Sequence, residues 1–297
     1  MKRIGIIDFD TSHVSAFVSR LNHVGIAEDQ WVDGARIVAG CPGTSLLDPK
    51  RIGPETESVR KLGLKLVESP EDLRRMELDA VFIESNSGLQ HLDRVKFFLP
   101  MKTPLFVDKP FACSLADAQE MFALADKAGV PIMSCSSLRY AAEVIAFQNG
   151  PLARDPKVGV FTYGPAPTHE KNPGLFNYGI HAVEMLFAML GTGCEWLCNV
   201  ASDDAEEATG RWKNGRIGSV RGLRPYSDFG FVTFSKGKGT HHSVDLKFAY
   251  RDMLRQIVRM IETGKSPIPP AETLQIVQFI EEAQISAVNH GTPRILR

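Results

Sequence analysis

A chain of 297 residues with 34 Lys and Arg against 35 Asp and Glu is long enough for two ordinary domains and lacks the charge excess that marks a nucleic-acid or anionic-membrane partner. No apolar stretch approaches the ~20 residues of a membrane span, and the run from Ile4 to Ile7 is far shorter than a signal segment, so a soluble, cytoplasmic protein is expected. Five cysteines, odd in number and without a Cys-x-x-Cys pair, point to reduced thiols over a disulfide frame or a zinc ribbon.

In chain order, short apolar runs at 3–8, 35–41, 79–84, 104–108 and 130–134 alternate with helix-like segments. Their continuous apolar character fits strands covered on both faces, and the series predicts a parallel sheet built from βαβ units. After Ser134 the texture changes: a helix near 139–148 leads into runs rich in Val, Phe, Thr and Gly at 157–163, 194–201, 216–223, 229–235 and 240–247. Phe229 to Ser235 and the Lys236-Gly-Lys-Gly239 turn predict a hairpin of an antiparallel sheet. Helices follow at Tyr250 to Thr263 and Ala271 to Asn289. The expected division is 1–135 and 136–297, joined by a short hinge.

The first strand and its turn, Ile4-Gly-Ile-Ile-Asp8-Phe-Asp10-Thr11-Ser12-His13, stand where a dinucleotide fold carries Gly-x-Gly-x-x-Gly. Asp8, Asp10 and His13 fill the three glycine positions. A carboxylate ~5 Å from a phosphate costs on the order of 3 kcal/mol at an effective dielectric of ~20, so changing Asp8 and Asp10 to glycine is expected to tighten nucleotide binding. Asp10, Thr11 or Ser12 could instead cap the helix through Leu21 and leave backbone N–H groups and hydroxyls for an anion. The second strand runs into Cys41-Pro42-Gly43-Thr44-Ser45 without the acidic residue that holds an adenosine ribose. Thr44, Ser45 and nearby Lys50 or Arg51 could serve a 2′-phosphate, which tilts the expected cofactor from NAD toward NADP.

Phe106-Val107-Asp108-Lys109-Pro110 puts a lysine at the carboxyl end of a buried strand, where ligands of open α/β sheets bind. Further on, Asn177, His181 and Glu184 share one face of a predicted helix at i, i+4 and i+7. Asn177 could orient an imidazole suited to general acid/base work, or simply satisfy a partly buried histidine. The polar loop 164–174, with His169 and Lys171, is of the kind that covers substrates. His241 and His242 face opposite sides of a strand and no helix has His-x-x-x-His, so no metal site is expected.

Asp108-Lys109-Pro110, Leu138-Arg139-Tyr140 and Gly179-Ile-His181-Ala-Val-Glu184 together make the chain resemble the Gfo/Idh/MocA oxidoreductases over nearly its whole length. Asp10-Thr-Ser-His13 and Ser134-Cys-Ser-Ser-Leu-Arg-Tyr140 further resemble a branch of that family whose first turn carries Asp-Thr-Ser-His. The resemblance implies an α/β protein: an N-terminal Rossmann domain with a parallel sheet, and a C-terminal α+β domain with an open, mostly antiparallel sheet. It also implies hydride transfer between NAD(P) and a sugar-like or cyclitol-like hydroxyl, and homodimers or homotetramers formed through the second sheet. By the same resemblance Lys109 holds the reacting hydroxyl after a cis Lys109-Pro110 peptide, and also belongs to the cofactor site. His181 takes the proton and Asn177 stands for the family's aspartate. Arg139, His169, Lys171 and Tyr178 are the expected substrate contacts. Two other readings stay open on the residues: a sugar-binding or regulatory protein that kept the fold and lost the cofactor, and metal-assisted isomerase or lyase chemistry at His181 and Glu184.

Overall fold

The computed structural model describes residues 1–224 and 228–296. Its first elements are β1 (Lys2–Ile7), α1 (His13–Leu21), β2 (Ala35–Cys41), α2 (Pro49–Lys61), α3 (Pro70–Arg74), β3 (Ala80–Ile83), α4 (His91–Phe98), β4 (Leu105–Val107), α5 (Leu115–Ala128) and β5 (Ile132–Met133). The remainder comprises α6 (Ala142–Asn149), β6 (Gly159–Pro165), α7 (Ile180–Leu190), β7 (Cys194–Ala201), β8 (Ala205–Trp212), β9 (Ile217–Leu223), β10 (Gly230–Ser235), β11 (Lys238–Ser243), α8 (Ala249–Thr263), α9 (Pro270–Val288) and β12 (Arg294–Ile295). The chain divides into two units: Met1–Ala112 with Ala116–Cys135 and Tyr250–Pro269, and Cys113–Leu115 with Ser136–Ala249 and Pro270–Arg297.

The first unit is a five-stranded parallel sheet of order β2-β1-β3-β4-β5, a Rossmann arrangement. Every residue of β3 and β4 is buried, which is what the continuous apolar runs predict for strands covered on both faces. On α1, Val14, Phe17, Val18 and Leu21 fall at helical spacing and are buried, turning one stripe of the helix to the core. Ser69 and Asp72 form a reciprocal capping box that starts α3, with Pro70 in its first turn. Helix α8 also packs here. Its Tyr250 ring lies edge-on to His13 and Phe17, and Arg251 Nη1 donates to the Asp29 carbonyl. The expected boundary kept this helix in the C-terminal domain, because apolar periodicity identifies a helix without saying which core it covers.

The second unit holds a seven-stranded sheet of order β11-β10-β6-β9-β8-β7-β12, antiparallel except between β6 and β9. Helix α7 is buried nearly all round, and a Cβ on Gly218 of β9 would meet its Leu190 and Leu186 side chains, so the strand needs glycine where the helix crosses. On β7, Asn199 N donates to Ser286 Oγ of α9, and Asn199 Nδ2 donates to the Ala283 carbonyl. Strand β8 escaped the sequence reading because its alternate buried positions begin with an acid: Glu206, Ala208, Gly210 and Trp212. Arg224 and Asn199 satisfy that glutamate. The expected strand at 240–247 lies earlier, at Lys238–Ser243, since Lys236 and Gly237 both take positive φ and make a two-residue turn. No helix among the described residues is long and apolar enough to cross a membrane.

Candidate active site

In the first unit the candidate residues gather at the carboxyl ends of β1, β3 and β4. Asp8 follows β1 with φ 68°, the left-handed conformation for which glycine is the usual choice. Its carboxylate accepts from Arg94 Nε and Nη2, both at 2.8 Å, and from Thr44 N at 3.2 Å. A Cβ on Gly43 would collide with Asp8 Oδ1, so glycine is required after β2 to let the carboxylate lie there. Asp10 accepts from Ser45 Oγ at 2.5 Å and from Asn86 N at 2.9 Å. Burial lifts the Asp10 carboxyl above its usual range against the pull of those two bonds. Both aspartates are fully buried, so the expectation of two carboxylates facing a phosphate is corrected: they turn inward onto partners of their own.

The cap expected from Asp10, Thr11 or Ser12 is modest. Ser12 stands at the N-cap without a side-chain bond, and Thr11 Oγ1 accepts from His13 N at 3.4 Å. Glu55 of α2 takes the Ser15 N–H at 2.7 Å. His13 lies under the strand ends, stacked on Phe17, with Nδ1 3.0 Å from Asp108 Oδ2 and 3.7 Å from Glu84 Oε2. Burial opposes its charge, but Asp108 outweighs it and holds the imidazole well above its usual range. Burial would raise Asp108 too, yet His13 and Lys109 bring it below the usual carboxylate range, whereas burial dominates at Glu84 and lifts it.

Lys109 is buried behind β4, and its peptide bond to Pro110 is cis, as the resemblance implies. Its Nζ is 3.2 Å from Asn86 Oδ1 and 4.0 Å from Asp108 Oδ2. Around this cluster the loops after β2 and β3 are tied by Leu46 N donating to Gln90 Oε1 and Gln90 Nε2 donating to the Thr44 carbonyl. Ser12, Thr44, Leu46, Asp48 and Leu89 are exposed on these loops.

In the second unit His181 opens α7, with Nδ1 2.6 Å from Ser136 Oγ, which also accepts from Leu138 N. The Tyr178 and Phe229 rings lie edge-on to the imidazole. The helix begins at Ile180 and Asn177 is extended, so the i, i+4 relation does not hold; Asn177 Nδ2 donates to the Pro167 carbonyl at 2.7 Å instead. Arg139, expected at the substrate, is buried between Glu184 Oε2 at 2.9 Å and Glu272. Burial lifts Glu184 to about 7 although Arg139 pulls it down. His169 Nδ1 accepts from Lys171 N, and Lys171 Nζ lies 3.4 Å from Glu170. Sequence reasoning missed Arg94, Glu84 and Ser136, whose partners lie 86, 71 and 45 residues away and leave no local spacing to read.

Residues 45–135 match the Gfo/Idh/MocA family, described as an oxidoreductase family with an NAD-binding Rossmann fold. A D-apiose dehydrogenase of Paraburkholderia graminis is 30% identical over 148 residues, which is 50% of this chain and 36% of that protein, so the match spans little more than a third of the relative. A probable dehydrogenase from Thermotoga maritima superposes with TM-score 0.78 at 18% identity, covering 99% of this chain and 98% of that one. A putative myo-inositol dehydrogenase from Sinorhizobium meliloti 1021 gives 0.80 at 14% over 100% of both chains. Myo-inositol dehydrogenase from Lactobacillus casei, in complex with NAD(H) and myo-inositol, gives 0.75 at 15% over 100% and 97%. At these identities the structural likenesses establish the fold.

Proposed function

We propose that the chain, whose residues 45–135 match the Gfo/Idh/MocA oxidoreductase family, is an NAD(P)-dependent dehydrogenase or reductase acting on a sugar-like or cyclitol-like hydroxyl. Lys109 carries the reading: a buried lysine ends a strand of a parallel sheet, with its Nζ held by Asn86. The strand ends suit a dinucleotide in an unusual way. Asp8 makes the turn that glycine ordinarily makes, and its charge is spent on Arg94, so Ser12, Thr44, Leu46 and Leu89 are exposed at the strand ends while the Asp8 and Asp10 carboxylates are buried. Glu55 already takes one amide of α1, leaving fewer helix donors for the phosphates. Leu46 and Leu89 offer apolar cover to an adenine. The lack of an acid at the end of β2, with Thr44 and Ser45 following it, favours NADP over NAD.

When bound, the nicotinamide supplies a hydride acceptor or donor at C4. In this reading the Lys109 ammonium stabilises the alkoxide that forms at the reacting hydroxyl, and His181 exchanges the hydroxyl proton through Nε2, since Nδ1 is engaged by Ser136. Ser136 therefore replaces Asn177 as the group that orients the imidazole. A serine hydroxyl can donate to Nδ1 or accept from it, so unlike an aspartate it leaves both tautomers available. Tyr178, beside His181, and the loop bearing His169 and Lys171 are the proposed substrate contacts. Five cysteines, none in a disulfide among the described residues, accord with a reducing, cytoplasmic setting, and Val200, Ile217 and Phe234, exposed on the second sheet, are the apolar surface through which a homodimer or homotetramer would form.

Native mass spectrometry of the purified protein, followed by calorimetric titration with NADP and NAD, tests the cofactor. The reading predicts a bound dinucleotide with NADP the tighter ligand; failure of both to bind at millimolar concentration overturns it.

A further inference from the structure

His13, Glu84 and Asp108 come from the start of α1 and the ends of β3 and β4, three places that the parallel sheet brings side by side. One possible ligand atom from each lies within 4.8 Å of the others. The side chains of His13, Glu84 and Asp108 are all more than nine-tenths buried. His13 Nδ1, both carboxylate oxygens of Glu84 and Oδ2 of Asp108 have no hydrogen-bond partner among the described residues. Buried polar atoms are nearly always hydrogen-bonded, so four without a bond at one point need an occupant.

The approach of Nδ1 to Asp108 Oδ2 sharpens this. The two atoms are 3.0 Å apart, yet they do not meet hydrogen-bond geometry. Lone pairs aimed at a shared third point produce that combination of short distance and poor alignment. Imidazole nitrogen and carboxylate oxygen bind a metal at about 2.1 Å, which places neighbouring ligand atoms about 3.0 to 3.4 Å apart. The observed 3.0 and 3.7 Å bracket that spacing. Phe17, stacked on the His13 ring at 5.3 Å, and Tyr250, edge-on at 5.2 Å, fix the imidazole in this direction.

We propose that His13, Glu84 and Asp108 form a buried site for a divalent first-row transition metal. With the metal displacing the His13 proton, one neutral imidazole and two carboxylates supply a donor set of charge −2 that matches such an ion. The Lys109 ammonium, 4.0 Å from the same Asp108 oxygen, disfavours a cation held by charge alone. The site therefore selects a metal that gains from the nitrogen bond, zinc first and manganese more weakly, over magnesium or calcium. No sequence motif announces it, because its ligands are 71 and 24 positions apart along the chain.

Untagged protein purified without chelators, analysed for metals by plasma mass spectrometry, tests the site. The expected content is about one zinc or manganese per chain. After stripping with a chelator, titration with Zn²⁺ and with Mn²⁺ should restore the ion and raise Tm by about 5 °C or more at saturation. Glu84→Gln, which keeps side-chain volume and therefore the fold, should weaken affinity by at least about 100-fold, and His13→Asn likewise. Protein that carries no stoichiometric metal, and takes up neither ion at millimolar concentration, overturns the proposal and leaves an imidazolium held between two carboxylates. Neither outcome depends on whether the protein transfers hydride.

Discussion

Replacing Asp8 separates two contributions of one residue: the left-handed backbone at φ 68°, and the carboxylate that holds Arg94 in two bonds of 2.8 Å. Asp8→Asn keeps the first, since asparagine tolerates that conformation, and removes the charge. The partly buried Arg94 guanidinium then loses its counter-ion, and we expect denaturant unfolding to show a loss of about 2 kcal/mol. Asp8→Gly should lose about 1 kcal/mol less, because glycine relieves the backbone. Nucleotide affinity should change by less than about threefold in either protein, because a carboxylate already paired with Arg94 presents little net field. This replaces the gain in affinity that the sequence alone predicts. The carboxylates are plain in the sequence; the arginine that neutralises one of them, on α4, is not. At His181 the corresponding hidden partner is Ser136. Ser136→Ala should lower kcat by about tenfold with KM nearly unchanged and displace the pH–rate profile, while Ser136→Thr restores both; a loss of stability alone would leave the profile where it was.

Arg139 ties three elements together through side chains: the turn at Ser137–Tyr140, α7 through Glu184, and α9 through Glu272. One cation faces two buried or half-buried carboxylates, so burial and Glu272 leave Glu184 near 7 despite the arginine. A carboxyl raised in the folded state binds its proton more tightly there than in the unfolded chain. The resulting stability is complete below the unfolded value of 4.5 and is lost as pH rises through about 7. Thermal melts should therefore show wild-type Tm falling between pH 5 and 8 more steeply than that of Glu184→Gln, with a contribution of about 3 kcal/mol at most. Equal slopes would mean that Glu184 does not govern the junction.

Legibility follows the same physics at this scale. The five strands of the first sheet are readable because their residues are mostly apolar and buried, continuously so in β3, β4 and β5. Strand β8 was not, because Glu206 occupies a buried position and finds its partners in Arg224 and Asn199, at 2.6 and 3.1 Å. Helix α7 was expected to start at or before Asn177; glycine and a left-handed Tyr178 delay it to Ile180, which removes Asn177 from the face of His181.

Across the whole molecule, the Rossmann unit supplies Lys109 and the strand-end surface, and the second unit supplies His181 with Ser136. The central proposal is that Lys109 and His181 are each required for hydride transfer. The most direct measurement is transfer of deuterium from C-deuterated sugars and cyclitols to NADP, read by mass spectrometry of the reduced nucleotide, in the wild type and in Lys109→Ala and His181→Ala. The account predicts transfer by the wild type from at least one sugar or cyclitol, and rates lower by roughly 10² to 10⁴ in each variant. Transfer that persists unchanged in both variants, or a wild type that moves no deuterium to NADP or NAD from any member of the panel, would contradict it.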